Sequence, residues 1–171
     1  KVQRLNLYSP HPGQAQIHKS PTRFNIVCYG RQSGKTTYGL NKILDRAWVG
    51  PDNSVYWYVL QTYDAARIAF SRVKQTYSMS PPAFARKLNE SLLTVTLNRG
   101  QTIFFKSGKN FEDLRAETLD GAVIDEYRQQ HKDLWPLVIR PMLGRKNGWA
   151  DILSTSNGFD HFYDLFEAAR V

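Results

Sequence analysis

Cysteine is nearly absent from the 171 residues. Cys28 stands alone, which excludes an internal disulfide framework and a cysteine-rich zinc site and favours a reducing compartment. No run approaches the roughly 18 apolar residues that a membrane-spanning helix needs. The opening KVQRLNLYSPHPG has no apolar core of the kind a signal peptide carries. Internal repeats and low-complexity tracts are missing too, so solenoids, collagen-like chains and disordered tails are set aside. What remains is a chain that is 42% hydrophobic and 13% aromatic, long enough to bury a core and of a length that fits one domain.

Acids are the scarcer charge, 15 against 23 lysines and arginines, for a net charge of +8. The imbalance is local. Residues 1–110 hold 16 basic and 4 acidic side chains and residues 111–171 hold 7 and 11, so the halves carry +12 and −4. A positive region containing Arg67, Arg72, Lys74, Arg86, Lys87, Arg99, Lys106 and Lys109 would attract a polyanion, nucleic acid first, through counterion release. A solvated basic surface with no ligand accounts for the same charge equally well.

The apolar pattern alternates between two periods. FNIVCY (Phe24 to Tyr29) reads as a buried strand running into Gly30, and Lys35 to Trp48 then shows helical spacing at Leu40, Ile43, Leu44 and Ala47. VYWYVL (Val55 to Leu60) is a second strand, followed by a helix to Tyr77 with Asp64 as its expected N-cap. Beyond the breaker SMSPPA, Leu92 to Leu97 and Thr102 to Lys106 flank NRGQ and predict a β-hairpin. A third buried strand at Ala122 to Ile124, a helix from Leu134 to Leu143, a strand from Ala150 to Ser154 and a closing helix from His161 to Arg170 complete the order. Alternating strands and helices predict a mainly parallel sheet covered on both faces, with the hairpin as an antiparallel addition.

Between the first strand and its helix lies GRQSGKTT, comprising Gly30, Arg31, Gln32, Ser33, Gly34, Lys35, Thr36 and Thr37. Glycines there let backbone N–H groups turn toward phosphate oxygens, and the first turn of the helix adds unpaired donors and a positive dipole end. Lys35 is expected on the β- and γ-phosphates of ATP and the Thr36 hydroxyl on Mg²⁺. The usual phosphate loop has four residues between its glycines; here three separate Gly30 from Gly34, and Tyr29 holds the first glycine position. A glycine turn with an incidental lysine is the plainer alternative, and the flanking strand and helix count against it. GAVIDEY (Gly121 to Tyr127) places Asp125 and Glu126 at the carboxyl end of a strand, where open α/β sheets bind ligands. Asp125 would join the Mg²⁺ shell and Glu126 would polarise the attacking water. A solvated strand end would look similar on its own.

Taken in order, these motifs resemble the ATPase domain of the large terminase subunit, the motor that packages DNA into tailed-phage capsids. GRQSGKTT is similar to that family's deviant Walker A, and VIDE to its Walker B with catalytic glutamate. STSNGFDHFYDLF (Ser154 to Phe166) is similar to its coupling motif and the helix that follows. SPHPGQAQI resembles its adenine-recognising Q motif, and YWYVLQTYDAARIAF its second strand and helix. The resemblance spans nearly the whole chain and implies a three-layer α/β P-loop fold of the additional-strand, RecA-like type. Residues 1–171 would be the N-terminal ATPase domain, without the family's lid subdomain and nuclease.

Roles follow from the resemblance residue by residue. Gln14 would read adenine, although an exposed loop glutamine would look the same. Arg31 would contact phosphate or pair with an acid such as Glu126. Arg115 would enter a neighbouring subunit's site as an arginine finger, a contribution of about 10³ to 10⁵ in rate, unless it makes a surface pair with Glu112 or Glu117. Ala116 follows LR where relatives often have glycine. Ser154, Thr155, Ser156 and Asn157 would sense the γ-phosphate and couple hydrolysis to movement, or cap the last helix. Asp160, His161 and Asp164 read as capping and surface residues rather than a metal site. Implied partners are double-stranded DNA, further copies in a ring (a pentamer in the family), the portal protein and the small terminase subunit, with no membrane. The implied location is the host cytoplasm at the portal vertex of the procapsid. A superfamily 2 helicase half shares many of these motifs but would need a second RecA-like domain. A DNA-binding module that holds nucleotide without hydrolysis is the non-enzymatic alternative.

Overall fold

The computed structural model describes residues 8–78, 85–114 and 117–170. In chain order the elements are α1 (Pro12–His18), β1 (Phe24–Cys28), α2 (Lys35–Val49), β2 (Val55–Leu60), α3 (Tyr63–Ser78), β3 (Ala85–Asn89), β4 (Thr94–Leu97), β5 (Thr102–Ser107), β6 (Gly121–Ile124), α4 (Arg140–Gly144), β7 (Trp149–Ser154) and α5 (His161–Ala168). The strands form one seven-stranded sheet in the order β1-β7-β6-β2-β5-β4-β3. Pairing is parallel from β1 to β5 and antiparallel at β5·β4 and β4·β3.

Strand β2 shows why the sequence folds this way. As a central strand it is covered on both faces, so its five residues after Val55 are all buried and read as an unbroken apolar run. Successive side chains still alternate: Tyr56 and Tyr58 join the core beneath α2 and α3, while Trp57 and Val59 join the core beneath α4 and α5. The two cores on opposite faces of one sheet make three layers, as expected.

Several details depart from the sequence reading. The segment Thr102 to Lys106 is more than a hairpin arm, because β5 also pairs in parallel with β2 over six residues and so belongs to the parallel sheet. A further strand, β3, extends the antiparallel side. Helix α3 starts at Tyr63, and Thr62 caps it, its Oγ1 accepting from Ala65 N–H at 3.2 Å, so Asp64 lies inside the first turn. The single helix expected from Leu134 to Leu143 is a π-helical stretch, Leu134–Ile139, leading into α4. Pro136 and Pro141 interrupt the i→i−4 ladder there, and Arg140 N–H reaches back five residues to the Trp135 carbonyl. SPHPGQAQI contains a helix, α1, whose N-cap is His11.

Candidate nucleotide and phosphate site

All parallel strands point their carboxyl ends to one edge, where the loop after β1 and the turn after β6 meet. The loop reaches left-handed backbone at Gln32 (φ 57°) and Gly34 (φ 78°). Gly34 needs to be glycine twice over, for its positive φ and because a Cβ would stand 2.8 Å from Gln14 Nε2. Gly30 has open space where a Cβ would project, so the chain itself makes no such demand there. Ser33 Oγ donates to the Gly30 carbonyl at 2.7 Å and closes the loop. The first helical bond of α2 runs from Tyr38 N–H to the Gly34 carbonyl at 2.8 Å, and no side chain caps the N–H groups before it. Lys35 is buried, with Nζ donating to the carbonyls of Gly30 (3.0 Å) and Tyr29 (3.4 Å) inside the curl of the loop. Arg31, Gln32 and Thr37 are exposed.

Gln14 is not an exposed loop residue. It is 4% exposed, its Oε1 accepts from His11 N–H at 3.0 Å, and its Nε2 donates to the Gly34 carbonyl at 3.1 Å. His11 completes the link: its Nδ1 faces Gln14 N–H at 3.4 Å and its Nε2 lies 3.2 Å from the Ser33 carbonyl, which fits the Nε2-protonated tautomer. Helix α1 is therefore latched to the phosphate loop by a capping box built from the residues of the Q-motif segment.

Across the edge, Asp125 is 1% exposed and surrounded by donors. Its Oδ2 accepts from Thr36 Oγ1 and from Tyr58 Oη, each at 2.8 Å, and its Oδ1 accepts from Glu126 N–H at 3.0 Å. Gln130 Nε2 holds the Asp125 carbonyl at 2.7 Å. Burial and the Asp125 charge keep the Tyr58 hydroxyl protonated, with a pKa well above the usual tyrosine value. Glu126 sits in left-handed backbone (φ 50°, ψ 45°) at the start of a 3₁₀ turn, Tyr127–Gln129. Burial, then the Asp125 charge, raises its pKa above the ordinary glutamate value; Lys35, Arg128 and Arg31 act in the opposite sense. Arg31 thus acts on Glu126 through space, with no ion pair between them.

Hard oxygen donors from Thr36 and Asp125, already in contact, suit a magnesium ion that completes its shell with water and phosphate. Among the described residues no three His, Cys, Asp or Glu side chains gather into an all-protein metal cage.

The strand end after β7 ties both motifs together. Ser154 is fully buried; its carbonyl accepts from Tyr29 N–H at 3.2 Å and its Oγ from Arg128 N–H at 3.2 Å. Thr155 is buried, whereas Ser156 and Asn157 are exposed. Asp160 caps α5, accepting from the N–H groups of Phe162 and Tyr163 at 3.0 Å, and His161 Nε2 lies 3.1 Å from the Tyr127 carbonyl. Capping of α5 and support of the turn after β6 thus coexist in one segment. Arg115 and Ala116 lie outside the described residues.

Among the described residues the basic side chains do not form one patch. Arg99 is at the other end of the sheet, bound to Asp52 (2.6 Å) and to the carbonyls of Trp48 and Gly50. Lys106 lies over the rings of Trp57 and Phe104. Arg67, Arg72 and Lys74 lie on α3, with Arg67 near Asp64 and Lys74 paired to Glu90. The Arg86 side chain is outside the description. His11, Tyr58, Gln130 and His161 also serve the site; Gln130 follows VIDE closely in the sequence, and no local pattern marks Tyr58.

Residues 26–170 match the family model for the terminase large subunit, T4likevirus-type, N-terminal. The chain belongs to this family. Its terminase relatives include the large subunits of Thermus virus P23-45 and Thermus phage G20c, each 31% identical over 93% of this chain and 36% of the relative. The chain therefore spans about a third of the length of these curated relatives. The large terminase ATPase domain of Thermus phage P74-26 superposes with a TM-score of 0.79 at 29% identity, over 93% of this chain and 70% of that one. The HK97 bacteriophage large terminase gives 0.77 at 17% identity, over 95% of this chain and 37% of that one, a likeness of fold. The architecture is thus that of terminase ATPase domains, a P-loop fold with its phosphate loop after the first strand.

Proposed function

We propose that this terminase domain hydrolyses ATP with Mg²⁺ and that the hydrolysis drives double-stranded viral DNA into a procapsid. The observation that carries the reading is the 2.8 Å contact between Thr36 and Asp125, which joins the loop and the acidic strand end beside Glu126. In this reading Lys35 and the N–H groups opening α2 bind the phosphates. Thr36 and Asp125 hold the magnesium, which when bound neutralises charge on the β- and γ-phosphates. Glu126, pushed upward in pKa by burial, takes the proton of the attacking water. Arg31 faces the phosphates from the loop's exposed side, and Gln14 positions Gly34 while its second amide proton remains for the base. Arg115 enters from a neighbouring copy. Ser154, bonded to both the loop and the turn after Glu126, passes a change at the γ-phosphate to α5, with Thr155, Ser156 and Asn157 completing the sensor.

The same proposal includes a ring of subunits, five by the family pattern, with the portal protein and the small terminase subunit as partners at the portal vertex in the host cytoplasm. No helix among the described residues is long and apolar enough to cross a membrane. The test is the ATPase rate per subunit across a wide range of protein concentration with Mg²⁺, using Glu126→Ala as the blank. A rate that climbs with concentration supports sites completed between neighbours. A flat rate favours a self-sufficient, helicase-like unit, and nucleotide binding without turnover favours the non-hydrolysing module.

A further inference from the structure

The Asp125 carboxylate offers about four lone-pair directions. Two donors, Thr36 Oγ1 and Tyr58 Oη, converge on Oδ2 at 2.8 Å each, and Glu126 N–H takes one direction of Oδ1 at 3.0 Å. Oδ2 is therefore saturated, and the one direction left belongs to Oδ1. Thr36 has spent its proton on the carboxylate, so its own lone pairs are the ones available to a cation. Tyr58 is the donor with no other assigned task. It lies on β2, fully buried, and its hydroxyl reaches Asp125 only because α2 leaves room.

The room comes from Gly39, in the middle of α2, where glycine costs about 1 kcal/mol relative to alanine. Its φ is helical, so conformation does not require glycine there. Packing does: a Cβ would stand 2.9 Å from Tyr58 Oη, 2.8 Å from Leu153 Cδ1 and 3.1 Å from Val123 Cγ1. A helix-weakening residue at this point thus keeps open the path of one hydroxyl to one carboxylate oxygen.

We propose that Tyr58, seated in the space left by Gly39, is a positioning residue that locks the Asp125 carboxylate so that Oδ1 is the oxygen turned to the magnesium shell. The proposal rests on the ATPase reading above. It concerns metal affinity rather than phosphate binding, and partners of this outer kind typically set metal affinity by about 10- to 100-fold.

The test titrates Mg²⁺ into the protein with a fluorescent ATP analogue and separately measures analogue binding in EDTA. Tyr58→Phe keeps the ring and removes only the hydroxyl; the Mg²⁺ midpoint is expected to rise about tenfold or more while binding in EDTA is unchanged. Gly39→Ala, crowding the same hydroxyl, should raise the midpoint in the same direction, and combining the two should add less than their sum. An unchanged midpoint in Tyr58→Phe with a lowered melting temperature would assign Tyr58 to packing and overturn the proposal. If Tyr58→Phe does not fold, Gly39→Ala decides by the same midpoint. Wild-type protein that binds the analogue with no response to Mg²⁺ would instead overturn the ATPase reading itself.

Discussion

Replacing Tyr38 by phenylalanine tests how the phosphate-loop helix is fastened to the strand that ends at Ser154. Tyr38 is fully buried on α2, and its hydroxyl donates to Oδ2 of Asp151, itself fully buried on β7. The other oxygen of Asp151 accepts from Asn25 Nδ2 at 2.8 Å, tying in β1. Phenylalanine keeps the ring, including its tilted contact with His18 at 4.8 Å, and removes only the donor. A hydrogen bond to an ionised partner contributes about 1.5–3 kcal/mol, and the carboxylate oxygen would be left in the interior without this donor. A loss of about 2 kcal/mol in a domain of this size lowers the melting temperature by roughly 4–8 °C. The assay is thermal unfolding of Tyr38→Phe, Asp151→Asn and the double variant. The single-variant losses should fail to add, with an interaction energy of about 1 kcal/mol or more. A drop below about 1 °C in Tyr38→Phe, or strict additivity, would refute the fastening, because either result means that the bond contributes nothing net.

Three further outcomes are expected. Arg115→Ala should abolish turnover and spare nucleotide affinity, measured by ATPase rate and equilibrium binding; a large loss of affinity would return Arg115 to its own subunit's site. The acid limb of the pH–rate profile should fall above the ordinary glutamate pKa of about 4.3, since Glu126 as the proposed base must be ionised and burial favours its protonated form. A limb at or below that value would remove Glu126 as the base. Gln14→Ala should weaken ATP and GTP binding alike if the latch on Gly34 is its main task, and a selective loss of ATP affinity would make adenine recognition dominant.

Much of this site could be read from the residue order. GRQSGKTT and VIDE each sit at the end of an apolar run, and the physics that buries those runs also brings their ends to one edge of the sheet. What escaped was supplied by tertiary contact. Helix α1 is seven residues long and capped by a histidine rather than the usual Ser, Thr, Asp or Asn, so its local signal was weak; Gln14 became buried only because Gly34 lies against it. Strand β3 follows SMSPPAF and carries Arg86 and Lys87, a poor strand signature that pairing with β4 overrides. The π-helical stretch arises where two prolines, Pro136 and Pro141, act together on one helical segment. In the sequence Tyr58 is one more aromatic in VYWYVL, and nothing in the spacing tells which of the three aromatic side chains meets Asp125 beyond the end of β6.

Strand β1 is the terminal strand of the described sheet, paired along one side only, with β7. The strands between it and β3, the opposite edge, are gripped from both sides, so the in-sheet alignment of the segment carrying the phosphate loop rests on a single seam. That seam runs from Phe24↔Ala150 to Cys28↔Ser154 and continues into the bond from Tyr29 N–H to the Ser154 carbonyl. Within the sheet, the position of the loop is therefore set by β7 alone, and the last link of that seam is Ser154, the residue whose hydroxyl also accepts from Arg128 N–H in the turn after β6.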